Sequence, residues 1–292
     1  MQVNWVKISS GELSAEIDSH GAQLSRLCHG ESELLWDGDP SVWSGRAPLL
    51  FPIVGVVAGG RYRLGQSSYP LSRHGFARGK DFSIASASAD GATFRLSADA
   101  ETLAIYPFQF ELLVRFAVAR STLSVTTTIR NLDTQDMPAS FGYHPAFRWP
   151  LPFGGSRSSH TLEFAMDEPD SVRRLDAAGC LSPVHHRTPI EQRRLMLKDE
   201  LFQNDVIILD KVRSRSLSFG GESGPRLRIG FEDAPYLGLW TKPGAQFICI
   251  EPWHGISDPV GYSGDFRDKP GVFVLGAGQE LQATMTVTVE GG

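Results

Sequence analysis

Cysteine is scarce in this chain. Three residues in 292, Cys28, Cys180 and Cys249, form an odd, widely spaced set that excludes a disulfide framework and fits free thiols in a reducing compartment. Long apolar runs are missing too. No window approaches eighteen uninterrupted apolar residues, and the opening MQVNWVKISSGELSAEID has no basic stretch leading into an apolar one, so neither a membrane partner nor a secretory leader is expected and the expected location is the cytoplasm. Positive charge is nowhere concentrated. The 28 Lys and Arg are outnumbered by 33 Asp and Glu, and they occur singly or in pairs, which argues against nucleic acid as a partner. Phosphate-cradling glycine motifs and the Gly-x-Ser-x-Gly elbow of serine hydrolases are absent as well. Helical periodicity is nearly absent; Pro189–Leu197 is the best candidate, with Pro189 suited to a first turn.

Period-two alternation is present in abundance. Phe108, Phe110, Leu112, Val114, Phe116 and Val118 share one face of a segment whose other face holds Gln109, Glu111 and Arg115. The next segment alternates Leu123, Val125, Thr127 and Ile129 with Ser124, Thr126 and Thr128, so the two read as antiparallel neighbours joined through Arg120 and Ser121. Leu281–Val289 alternates in the same way near the carboxyl end. About seventeen strands are expected from such runs, and the 30 Gly and 18 Pro supply turns to join them. No repeat or composition shift divides the chain; Pro152–Ser159 and Gly220–Pro225 read as loops. The expected fold is all-β, a large antiparallel β-sandwich over residues 1–292 as a single domain with very little helix, and a polar concave outer face as the seat of a hydrophilic ligand.

Three segments interrupt the alternation with titratable residues set among aromatics. They are Ser72–Arg78, containing His74; Phe141–Phe147, containing His144 before Pro145; and Cys249–Gly255, where Glu251 ends an apolar run. A carboxylate in such a position must be either paired, with Arg61 or Arg148 as candidates, or in use. Two histidines and a glutamate are a minimal acid/base set, and also a possible facial triad for iron. The rest of the sequence favours the first. His29-Gly30-Glu31 reads as a solvated turn, the adjacent His185 and His186 cannot both face one centre in a strand, and Cys249 reads as packing.

With these segments in hand, the chain resembles the aldose 1-epimerase (galactose mutarotase-like) superfamily. The resemblance rests on an ordered set of blocks: Leu50-Phe51-Pro52, His74-Gly75-Phe76-Ala77-Arg78, Gly142-Tyr143-His144-Pro145-Ala146-Phe147 and Cys249-Ile250-Glu251-Pro252-Trp253. His20–Leu24 and Leu237–Trp240 extend it over most of the chain. It implies a β-supersandwich and an isomerase that interconverts the α and β anomers of a free aldose. Glu251 would be the general base at the anomeric hydroxyl, His144 the general acid at the ring oxygen, and His74 a hydrogen-bonding stabiliser. Asp205 and Arg78 would contact sugar hydroxyls, with Phe76, Tyr143 and Trp253 as aromatic surfaces for the ring. A small-molecule carbohydrate is the expected partner, with no cofactor and no metal, and with a monomer or homodimer as the assembly.

The resemblance also marks a departure. Val56 stands where the family often carries an arginine, and Arg61 or Arg78 would have to reach the same space. Two alternatives stay open at this level: a hexose-6-phosphate epimerase, with Arg73 and Arg78 as added basic residues, and a non-catalytic sugar-binding module of the same fold.

Overall fold

In a computed structural model of the chain, which describes residues 5–291, the longest alternating segments pair as their patterns predict. Phe110–Ala119 and Thr122–Asn131 run antiparallel with Leu112 opposite Ile129 and Phe116 opposite Val125, and Arg120 turns the chain between them at φ 55°. They lie within a nine-stranded antiparallel sheet. Its other long members are Arg226–Gly230, Glu280–Glu290 and Gly91–Ser97. One face buries Leu112, Val114, Phe116, Leu123, Met285 and Val287. On the other, threonines meet across neighbouring strands, Thr122 with Thr288 at 2.9 Å and Thr126 with Thr284 at 3.2 Å.

A second, smaller sheet covers that core. Ile207–Leu209, Tyr236–Trp240, Phe247–His254, Phe141–Tyr143 and Leu49–Leu50 pair in this order, and Ala146–Arg148 also pairs with Phe247–His254. A four-stranded sheet, from Trp5–Ser10 to Ser32–Glu33, adds Ile8, Leu13, Ala15 and Ile17 to the same apolar interior. The architecture is therefore the antiparallel β-sandwich expected from sequence.

Alternation in the small sheet separates two environments. Leu49, Phe141, Ile207, Leu209, Leu237, Leu239, Ile248 and Ile250 point into the main core. Residues of the opposite parity, Leu50, Ile208, Phe247, Cys249 and Trp253, belong to two separate clusters on the far side. All eight residues of Phe247–His254 are buried, so the far side is roofed by loops into a cavity. That corrects the expectation of an open polar face.

One local expectation also changes. Pro189–Leu197 is not helical: Gln192 takes φ 55°, and Arg194–Met196 continues as an edge strand of the large sheet. The α-helix is Ala100–Ile105, capped by Asp99, whose carboxylate accepts from the Thr102 N–H at 2.7 Å while the Thr102 hydroxyl accepts from the Asp99 N–H. Gly59 and Gly60 form a 3-10 turn ahead of Arg61–Leu64, and the hairpin itself closes at Gly65. Among the described residues, no helix is long and apolar enough to cross a membrane.

Candidate active site

The small sheet sets His144 against Glu251. Gly142 pairs with Trp253 on one side of a short break in the ladder and Ala146 pairs with Cys249 on the other, in one unbroken register, so His144 falls opposite Glu251. Proline at 145 cannot donate a ladder hydrogen bond, and the break occurs there. The His144 Nε2 lies 3.2 Å from the Glu251 Oε2, without the alignment of a hydrogen bond, and Glu251 Oε2 and His144 Nδ1 are buried without partners. Glu251 pairs with neither Arg61 nor Arg148. Arg61 turns to Ser68 and Arg148 to Asp37.

His74 enters from a turn. Its backbone adopts φ 66° and the following Gly75 φ 70°, where a Cβ would meet the Phe51 carbonyl oxygen at 2.2 Å; only glycine lets this turn press against the Phe51 backbone. The His74 Nδ1 accepts a hydrogen bond from the Gly55 N–H at 3.1 Å. An accepting Nδ1 leaves the proton on Nε2, so the ring presents a donor. Its ring meets that of His144 edge to face at 5.8 Å.

Trp253 forms the floor. Its parity on the strand matches that of Glu251, and its indole lies across the neighbouring strands, where a Cβ at Gly142 would be 2.6 Å and one at Gly238 2.5 Å from the ring. Two glycines therefore make the slot in which the indole rests. Trp43 stacks on His144 at 5.2 Å with planes 27° apart, and Trp240 meets the same imidazole edge-on at 5.8 Å.

These groups enclose a cavity of about 310 Å³. His74, His144, Glu251, Trp253, Asp205 and Arg78 all line it. Among the lining residues that sequence reasoning did not nominate are Trp43, Trp240, Lys242 and Ser257. Trp240 had a signal, because it alternates with Gly238 onto the face of Glu251. Trp43 had none, being a loop residue without a pattern.

Two expected contacts are absent from the cavity. Tyr143 precedes His144 in the strand and so faces the other way; its hydroxyl sits in the main core against the Val125 carbonyl, the Thr127 hydroxyl and the Ala283 carbonyl at 3.0, 3.0 and 2.8 Å. Phe76 packs on the same core side, 5.9 Å from the Phe51 ring and 5.7 Å from that of Phe110. Val56 does not line the cavity either. It borders an adjoining groove of about 510 Å³, and Arg73 borders both. A Cβ at Gly179 would lie 3.1 Å from the Arg73 guanidinium and 3.3 Å from a Val56 methyl, so Arg73 brings its charge beside Val56 while Arg61 turns away.

Burial governs the charge state. It pushes His144 down to about 3, with the Arg78 and Arg73 charges acting the same way, and it holds His74 well below the usual imidazole range. Burial also drives Glu251 well above the carboxylate range, opposed by the Trp253 N–H and Arg73. Burial thus disfavours the charged form of both members of the pair. Cys249, on the same strand face as Glu251, lies with its sulfur, a His144 ring nitrogen and a Glu251 oxygen all within 4.8 Å of one another. His29 pairs with Glu12 at 3.3 Å, away from this cluster.

The fold has counterparts in known proteins. A galactose mutarotase-like protein from Lactobacillus casei superimposes with a TM-score of 0.92 at 31% identity, over 98% of this chain and 100% of that one. A galactose mutarotase related enzyme from Lactobacillus acidophilus gives 0.91 at 27% identity, over 99% and 98%. The plasmid-encoded protein LacX of Lactococcus lactis is 34% identical over 278 residues, spanning 91% of this chain and 93% of its own. The family model for aldose 1-epimerase matches residues 5–265. With the match running over most of its length, this chain belongs to the aldose 1-epimerase family.

Proposed function

We propose that the chain, acting as a single domain, is an aldose 1-epimerase that interconverts the anomers of a hexose or related aldose by ring opening and reclosure. The observation that carries this reading is the buried His144–Glu251 pair, 3.2 Å apart and unsatisfied, at the bottom of a sugar-sized cavity. The reaction requires a base at the anomeric hydroxyl and an acid at the ring oxygen in the same step. Glu251 takes the first role and His144 the second. The pair needs only one proton between its members: passing it from Glu251 to His144 readies base and acid together, and reclosure on the other face returns it.

His74, with its proton held on Nε2, donates to the substrate oxygen on which negative charge develops. Trp253 offers a flat apolar surface to the pyranose, and Asp205 and Arg78 at the rim take its hydroxyls. None of these steps calls on a metal or a cofactor. The test is the rate of anomer exchange, followed by NMR from freshly dissolved α-glucose and α-galactose, with the wild type and Glu251→Gln. Acceleration by the wild type alone supports the reading, and equal rates for both proteins overturn Glu251 as the base.

A phosphorylated aldose is the second reading, favoured by Arg73, Arg78 and Lys242 among the residues that line the cavity. Inhibition by sugar phosphates together with weak action on free sugars would favour it over the first.

A further inference from the structure

Cys249 is the one member of the buried cluster that the proposed reaction does not use. It sits on the same strand face as Glu251, two residues away, and directly across the sheet from Ala146, which follows His144 by two. Its surroundings on that side are Phe247, Trp36 and Ala245, with no charge to favour a thiolate. A thiol in such a place is ordinarily inert. Two features set this one apart: a His144 ring nitrogen, the Cys249 sulfur and a Glu251 oxygen lie within 4.8 Å of one another, and Glu251 Oε2 is aimed into the cluster from a residue only 1% exposed, without a hydrogen-bond partner.

We infer that His144, Cys249 and Glu251 form an inhibitory binding site for a thiophilic divalent cation, of which zinc is the probe. Imidazole, thiolate and carboxylate are the ligand types that zinc combines, with bonds of about 2.0–2.3 Å, and a tetrahedron of such bonds has edges of roughly 3.3–3.6 Å. The 3.2 Å separation of His144 Nε2 and Glu251 Oε2 already approaches one such edge. Three protein ligands leave a fourth vertex toward the cavity for water or a sugar hydroxyl. Binding breaks the Cys249 S–H and Glu251 O–H bonds, a sulfur and an oxygen lone pair go to the metal, and both protons leave to solvent; no redox change is involved. Occupancy ties up the acid/base pair, so the cation blocks anomer exchange instead of assisting it.

The test reads binding directly and does not depend on the sugar reaction. Cobalt(II) added to the metal-free protein should give one equivalent of thiolate-to-metal charge-transfer absorption with a tetrahedral visible spectrum, and zinc should displace it. The band should survive in a Cys28→Ser/Cys180→Ser double variant, whose thiols lie elsewhere. Calorimetry should show zinc weakened by more than about 100-fold in Cys249→Ala, since loss of even an outer-shell partner costs about 10–100-fold. A wild-type cobalt spectrum without the charge-transfer band, or loss of the band in the double variant, overturns the assignment. So does equal zinc affinity in Cys249→Ala. Failure here would leave anomer exchange unaffected, and an inactive protein that still binds one zinc through Cys249 would separate the two readings.

Discussion

The two sheets treat buried polar atoms in opposite ways. Across the large sheet, hydroxyls are matched in threonine pairs, and among the described residues none of its strands holds a buried side-chain nitrogen or oxygen without a partner. Unpartnered atoms gather around the small sheet instead: Ser140, His144, Asp210, Glu251, Trp253, His254 and Asp258 lie in its strands or in the turns beside them, with Arg157 as the exception. An unmet buried polar group costs about 1–3 kcal/mol. Stability is thus concentrated in one sheet, and unspent hydrogen-bonding capacity in the other, where a ligand can use it.

The strongest way to break this comparison is Glu251→Gln. Anomer exchange should fall by about 10²–10⁴-fold, the range for removing one proton-transfer group, in the NMR assay. The same variant should be more stable than the wild type above the ordinary carboxylate range. Because burial raises the folded-state pKa of Glu251, the stability its proton supplies is full at acid pH and is lost as pH rises through the raised value; the amide has no such loss. Melting curves from pH 5 to 9 should show the difference growing with pH. His144 has the opposite sign: its contribution is present above the usual imidazole range and is lost as pH falls toward about 3. The rate should accordingly fall in acid toward about pH 3 as His144 takes up its proton, and fall again as pH rises through the raised Glu251 value.

Phe116→Ala, in the large sheet, should lower unfolding free energy by about 3–5 kcal/mol in urea titrations, yet leave the rate per folded molecule unchanged. Gly238→Ala lies between the two regions. The added methyl would stand 2.5 Å from the Trp253 ring, so overpacking of about 1–3 kcal/mol should accompany a raised KM for the sugar as the indole shifts. The smallest effect is expected for Tyr143→Phe, which leaves three core acceptors or donors short of one hydroxyl: about 1–3 kcal/mol in stability with kcat/KM preserved. A large loss of kcat/KM in this variant would return Tyr143 to the sugar.

How far the sequence discloses this division depends on the residue. Phe110 to Val118 and Thr122 to Ile129 announce their strands because one face is uniformly apolar, and the large sheet follows from such segments. The small sheet is harder to read, since Phe247–His254 is buried on both faces and its run of apolar residues does not reveal which side faces the cavity. Alternation alone forbids Tyr143 and His144 from sharing a face, a constraint that family blocks do not display. Ala100–Ile105 is too short for a helical period to emerge, whereas the Gln192 turn leaves the apolar spacing of Pro189–Leu197 looking helical. His74, His144 and Glu251 could be nominated from residue type, but the meeting of His144 and Glu251 depends on pairings more than a hundred residues apart. Trp43 and Lys242 reach the cavity from loops, where no periodicity exists to expose them.

The alternation of Phe247–His254 also bears on how such a protein can change. Inserting or deleting one residue between Cys249 and Trp253 would exchange the cavity-facing set with Ile250 and its neighbours, presenting hydrocarbon to the ligand and a carboxyl to the core at once. Lineages can therefore vary this strand only by substitution, position by position. The Trp43 and Asp205 loops carry no such parity and tolerate length changes. Descendants of this chain are free to drift in what the cavity mouth admits long before they can alter the groups at its floor.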